Sequence, residues 1–144
     1  MLAIKVVMQE RDWDTLKGYH WHKGWLCAHA GVQPMYIPPA TDIKLYLEQE
    51  TANAHRALEN LSSHWFYAAG RSRGGINAVG ALLWCDARYD FEPVKGLNQI
   101  FGHTPNDEPL QIDIPKSKNI CLDTHGKHYV FEEKGKFIIT PVVT

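Results

Sequence analysis

Two short apolar runs, each ending in a histidine and then a turn, constrain this chain more than anything else in it. The first is Trp25-Leu26-Cys27-Ala28-His29-Ala30-Gly31; the second is Gln99-Ile100-Phe101-Gly102-His103-Thr104-Pro105. A short hydrophobic run bounded by turn formers reads as a buried strand. In open α/β sheets the residue at a strand's carboxyl exit faces the crevice where ligands bind. His29 and His103 therefore stand where a metal ligand would be useful.

The remaining elements follow from periodicity. After Thr41, expected as the N-cap with Asp42 in the first turn, apolar residues recur at Ile43, Leu47, Ala54, Leu58 and Leu61, which predicts one helix near 42–60. Gly24–Ala30, Ala81–Trp84, Leu97–Phe101 and Ile120–Leu122 read as strands, and Gln33–Ala40, with three prolines, as an irregular loop. His128–Phe131 and Lys136–Thr140, joined by Glu132-Glu133-Lys134-Gly135, predict a terminal hairpin. Leu2–Met8 reads as a strand or a helix end. The class is α+β, mostly β with one clear helix, in a single domain over 1–144 without repeats or low-complexity linkers.

Composition narrows the function classes. A net charge of −1 gives no electrostatic reason to expect nucleic acid or a membrane surface as partner. No apolar run reaches the ~18 residues of a membrane span, and no signal peptide is visible, so a cytoplasmic setting is the default expectation. Cys27, Cys85 and Cys121 are odd in number, each lies in an apolar run, and none forms a C-x-x-C pair, so they read as buried reduced thiols.

The ordered segments Ala28-His29-Ala30-Gly31-Val32-Gln33-Pro34, Arg71-Ser72-Arg73-Gly74-Gly75, Ala81-Leu82-Leu83-Trp84-Cys85-Asp86, Gly96–Pro105 and Asn119–Thr124 resemble the second half of the calcineurin-like metallophosphoesterases. The likeness is to the branch of PPP-type protein phosphatases, diadenosine tetraphosphatases and phage phosphatases, and it covers most of the chain. It implies the second half of a β-sandwich flanked by helices. It also implies hydrolysis of a phosphate ester by a water activated between two divalent cations about 3.5–4 Å apart, with His29 and His103 ligating one of them through neutral imidazole nitrogens that suit Mn, Fe or Zn.

In the family, three further motifs of the form DxH, GDxxDRG and GNHE precede the HAG strand. Here 28 residues precede His29, Asp12 and Asp14 are the only aspartates among them, and neither sits in such a motif; Asn53 and Asn60 fall after His29, on the expected helix surface. Two imidazoles without a bridging carboxylate cannot offset the repulsion between two cations. The expectation is therefore a chain incomplete as an enzyme by itself, with a missing N-terminal half or a homo-oligomer as partner and a phosphate ester as substrate. Its alternative is a non-catalytic metal-binding or interaction module that retains half the fold.

A phosphoryl group is matched by an arginine fork. Arg73, beside Gly74-Gly75 whose backbone can approach a ligand closely, is the favoured phosphate contact, and Arg88 is second; the plain reading of each is a solvated surface arginine. His20 and His22 form an H-x-H pair, read as a surface turn in preference to a strand face. His125 stands where the family has glycine and is expected in a solvated turn, with His128 three residues on. Those four histidines are the basis of a third reading, a zinc-dependent nuclease-like protein, which lacks a basic patch. Of the five tryptophans most are expected as core anchors, with Trp84 packed under the site and any exposed remainder marking an association surface.

Overall fold

The computed structural model describes residues 17–143. Leu2–Met8, Asp12 and Asp14 lie outside that range. The elements in order are β1 (Tyr19–His22), β2 (Trp25–Ala28), α1 (Ile43–Glu59), β3 (Asn98–Phe101), β4 (Leu110–Gln111), β5 (Asn119–Cys121), β6 (His128–Glu133) and β7 (Lys136–Pro141), with short 3-10 turns at Pro34–Tyr36, Trp65–Tyr67 and Arg71–Arg73. The class is α+β, with one α-helix and two sheets among the described residues.

The larger sheet has the order β1-β2-β3-β5-β4; β2, β3 and β5 run parallel in its centre, and β1 and β4 are antiparallel edges. β3 is buried from Gln99 to Phe101 and β5 over its whole length, as expected of parallel strands covered on both sides. Paired residues share a face. The register therefore places Tyr19, Trp21, Leu26, Ala28, Gln99, Phe101, Asn119 and Cys121 together, and His20, Trp25, Cys27, Ile100 and Ile120 on the opposite face. Tyr19 and Leu26 of the first face join Val32, Leu47, Ala54, Phe66, Leu82, Val94 and Leu97 in the main core. Two polar side chains on that face bond to backbone. Gln99 holds both the N–H and the carbonyl of Val32 (2.8 and 3.0 Å), and Asn119 donates to the carbonyl of Ile112.

The helix starts one residue later than expected, because Asp42 and not Thr41 is the cap: its carboxylate accepts from Lys44 N and Leu45 N at 3.0 and 3.1 Å. Its buried positions are Leu47, Ala54 and Ala57, while Leu58 and Leu61 face solvent. Leu61 falls outside the helix because it is the left-handed residue of the end. Its φ is +51°, Leu61 N bonds Leu58 O, and Ser62 N bonds Ala57 O, the paired bonds of a Schellman motif.

Two further expectations are corrected. Ala81–Trp84 is not a strand; it turns, with Trp84 N and Cys85 N both bonding Ala81 O. Tyr19–His22 is a strand and not a surface turn: Lys23 and Gly24, both at positive φ, make the two-residue loop that pairs β1 with β2. Lys134 and Gly135 do the same for β6 and β7. That second hairpin packs Phe137 on Trp25, ring centroids 4.7 Å apart, and is pinned by the Lys23–Glu132 ion pair and by the contact of His128 Nε2 with Glu108 at 3.2 Å. Cys27, Cys85 and Cys121 are free thiols, Cys85 and Cys121 buried and Cys27 partly so. No helix among the described residues is long and apolar enough to cross a membrane.

Candidate functional site

The two histidines picked out by their strands come together. His29 follows β2 and His103 follows β3 one residue after Gly102, and the parallel pairing of those strands brings both exits to the same edge of the sheet. Gly102 N donates to His29 O at 2.9 Å, tying the two exits backbone to backbone. The imidazoles meet directly, His29 Nε2 to His103 Nδ1, at 2.9 Å, with one ring presented edge-on to the other.

His103 is the more constrained of the two. Its φ of +67° lies in the left-handed region, which costs a side-chain-bearing residue about 1 kcal/mol. Its Nε2 is buried without a hydrogen-bond partner among the described residues. Burial, then the neighbouring His29 and Arg73, holds its pKa below the ordinary 6.5, outweighing the opposite pull of Asp86 and Asp123. The ring is thus neutral at pH 7, the form a metal can use. Trp84 meets it edge-to-face, centroids 5.5 Å apart. Trp84 is 43% exposed, so it borders the site and does not pack beneath it as expected.

Both candidate arginines reach the loop that carries His103, from different places. Arg73, on the 3-10 turn Arg71–Arg73, pairs with Asp86 Oδ2 at 2.9 Å and donates through Nη2 to Thr104 Oγ1 (3.0 Å) and His103 O (3.3 Å). Arg88 donates through Nε to Asn106 Oδ1 at 3.0 Å and through Nη2 to Pro105 O. Arg73 is half-buried and Arg88 exposed. The Gly74-Gly75 pair serves the chain's own backbone: a Cβ at Gly75 would stand 2.0 Å from the carbonyl oxygen of Ala69.

Asp86 and Thr104 are the residues that spacing does not reveal. Asp86 accepts from Arg88 N and Tyr89 N through Oδ1 while Oδ2 takes Arg73, and Thr104 Oγ1 accepts from Ala87 N at 2.8 Å as well as from Arg73. Nothing in a string of residues says that an aspartate and a threonine 18 positions apart share one guanidinium.

A groove of about 1150 Å³ opens beside His29, between α1 and the carboxyl ends of β2 and β3, with His20, Thr51, His55, Ile100 and Asp123 among its walls. His103, Arg73 and Arg88 do not line it. His125 lies exposed in the turn before β6, at φ +57°. His20 and His22 sit exposed on β1, and His128 is half-buried on β6. Among the described residues no three His, Cys, Asp or Glu are arranged to hold a metal ion, so the four histidines of the nuclease-like reading form no such site. His29 and His103 bring two imidazoles together. That fits part of one cation's shell and does not by itself make a two-metal cage, which needs carboxylates. No protein-family model, no curated protein and no solved structure matches the chain.

Proposed function

We propose that this chain is the C-terminal portion of a calcineurin-like metallophosphoesterase, with phosphate-ester hydrolysis as its chemistry and His29 and His103 as ligands to one divalent cation, Mn, Fe or Zn. The observation that carries the reading is the meeting of His29 and His103 at 2.9 Å across 74 positions of sequence, at the exits of adjacent parallel strands. A chain that used these histidines separately would have no reason to bring both to one strand edge. The cations, when bound, would polarise the phosphate and activate the attacking water. Within this chain Arg88 is the better placed phosphate contact, because its fork is exposed and its present acceptors are a loop carbonyl and an asparagine, whereas Arg73 is committed to a carboxylate. The described residues bring no carboxylate cage to the two histidines, so in this reading the carboxylate ligands are supplied from outside them, by a partner half or by a second copy.

A second reading is supported by the direct hydrogen bond between the imidazoles, which satisfies two ring nitrogens without any metal: a non-catalytic metal-binding or interaction module. The purified chain decides between them. It would be assayed on p-nitrophenyl phosphate and diadenosine tetraphosphate with Mn²⁺, alone and with the first half of a related phosphoesterase, alongside calorimetric Mn²⁺ and Zn²⁺ titration. The phosphoesterase reading expects no turnover alone, turnover on addition of the half, and loss of both turnover and metal binding in His29→Ala and His103→Ala. Metal binding that survives both substitutions overturns the ligand assignment. Binding that is lost, with no turnover gained in any mixture, favours the module.

A further inference from the structure

We infer that Arg73 is a positioning residue: together with Asp86 and Thr104 it fixes the left-handed backbone that presents the His103 imidazole. The inference rests on the proposed use of His103 as a ligand for its purpose, and on geometry for its substance. Three segments far apart in sequence converge on this loop, the Arg71–Arg73 turn, the turn ending at Asp86, and the exit of β3. Arg73 Nη2 donates to the carbonyl oxygen of His103 itself and to the side chain of the next residue, so one guanidinium spans the strained peptide. Asp86 holds the guanidinium at 2.9 Å and is itself 6% exposed, its other oxygen fixed by two backbone N–H groups. Thr104, 1% exposed, is gripped further: its hydroxyl by Ala87 N, its carbonyl by Asn106 Nδ2 at 2.6 Å and by Cys121 Sγ at 3.4 Å.

A left-handed residue persists only where its surroundings over-determine it: Thr104 N donates to Gly102 O across His103, His29 and Trp84 meet its ring, and the Asp86–Arg73–Thr104 chain holds the peptide that follows it. All three contacts are made by one nitrogen, Nη2, which meets the Asp86 carboxylate, Thr104 Oγ1 and the His103 carbonyl together, so an ammonium that reached the same point would keep part of the set, while a side chain without a donor would keep none. The side chain would act on His103 through the backbone and need never touch a substrate.

The test is long-range ¹H–¹⁵N correlation of the histidine side chains in the metal-free full chain at a fixed pH of about 7.5, where His103 is neutral, in Arg73→Met, Arg73→Lys and Asp86→Asn. The Trp25 and Trp65 indole signals serve as remote controls. Expected are loss of a single fixed His103 tautomer and loss of its coupling to His29 in Arg73→Met, a smaller shift of the same signals in Asp86→Asn, and partial retention in Arg73→Lys, with both indole signals unmoved. His103 signals that stay in place in Arg73→Met overturn the inference. So does movement of the indole and His103 signals together in Asp86→Asn, the mildest variant, since that marks a general structural role. Added Zn²⁺ separates the two hypotheses: if it leaves the wild-type histidine signals unchanged, the ligand reading fails while the positioning result still stands on the metal-free spectra.

Discussion

Replacing Thr104 with valine keeps the shape of a fully buried side chain and removes only its hydroxyl. Two donors lose their acceptor: the Ala87 N–H at 2.8 Å and Arg73 Nη2 at 3.0 Å. An orphaned buried N–H costs about 1–3 kcal/mol. The arginine keeps Asp86 and the His103 carbonyl, and its side chain is 26% exposed, so its loss is smaller, on the order of 0.5–1 kcal/mol. Together the change comes to about 1.5–4 kcal/mol, a fall in Tm of roughly 5–12 °C for a chain of this size. Thr104→Ser, which retains the oxygen and loses one methyl, is expected to cost about 1 kcal/mol. The measurement is urea denaturation followed by tryptophan fluorescence for all three proteins, with the slopes compared so that a change in cooperativity is not mistaken for a change in stability. If valine costs no more than serine, the hydroxyl does not hold this loop and the account of the site's rigidity is wrong.

Acid should weaken the protein through His103. Its folded pKa is lowered, so its contribution is fully present above the unfolded value near 6.5 and is lost as pH falls through the folded one, because the unfolded chain takes up the proton first. His103→Asn, which tolerates a positive φ, is therefore expected to lose less stability than wild type in denaturation curves taken from pH 7 to pH 5; an equal or larger loss in the variant would refute the assignment. Gly75→Ala puts a carbon 2.0 Å from the Ala69 carbonyl oxygen, so it should cost about 2 kcal/mol or more as backbone is forced apart. An unchanged melting temperature would mean that the 70–75 turn yields more readily than the packing suggests.

What the chain's order of residues determined by itself is local and periodic. Apolar runs place strands at Leu97–Phe101 and Ile120–Leu122, observed as Asn98–Phe101 and Asn119–Cys121, and the two histidines at strand exits; spacing places a helix near 42–60, observed as Ile43–Glu59; and two strand-like runs joined by Glu132-Glu133-Lys134-Gly135 mark the last hairpin, whose strands extend to Glu133 and Lys136 and leave Lys134-Gly135 as the loop. Reading failed where a run of apolar residues meant burial without extension, as at Ala81–Trp84, which is buried at Ala81 and Leu82 yet turns. A hydrophobic tetrapeptide reports that it avoids water and cannot report its φ and ψ. Leu61 failed for the opposite reason, since a residue at the right helical offset was spent on a left-handed cap and left 95% exposed.

Only the tertiary structure decided what the polar residues do. His29 and His103 are legible as candidates, but their contact depends on β2 and β3 being parallel neighbours across a 69-residue connection spanning positions 29–97. Arg73 reads in sequence as a phosphate contact because it abuts Gly74-Gly75, whose backbone can approach a ligand closely. Its carboxylate partner, 13 positions on, and its threonine, 31 positions on, turn it toward the chain's own loop. Periodicity fixes which side of an element an apolar group takes, because water acts on every residue alike; a hydrogen bond or an ion pair is directional and pairwise, and its partner is set by the path of the whole backbone.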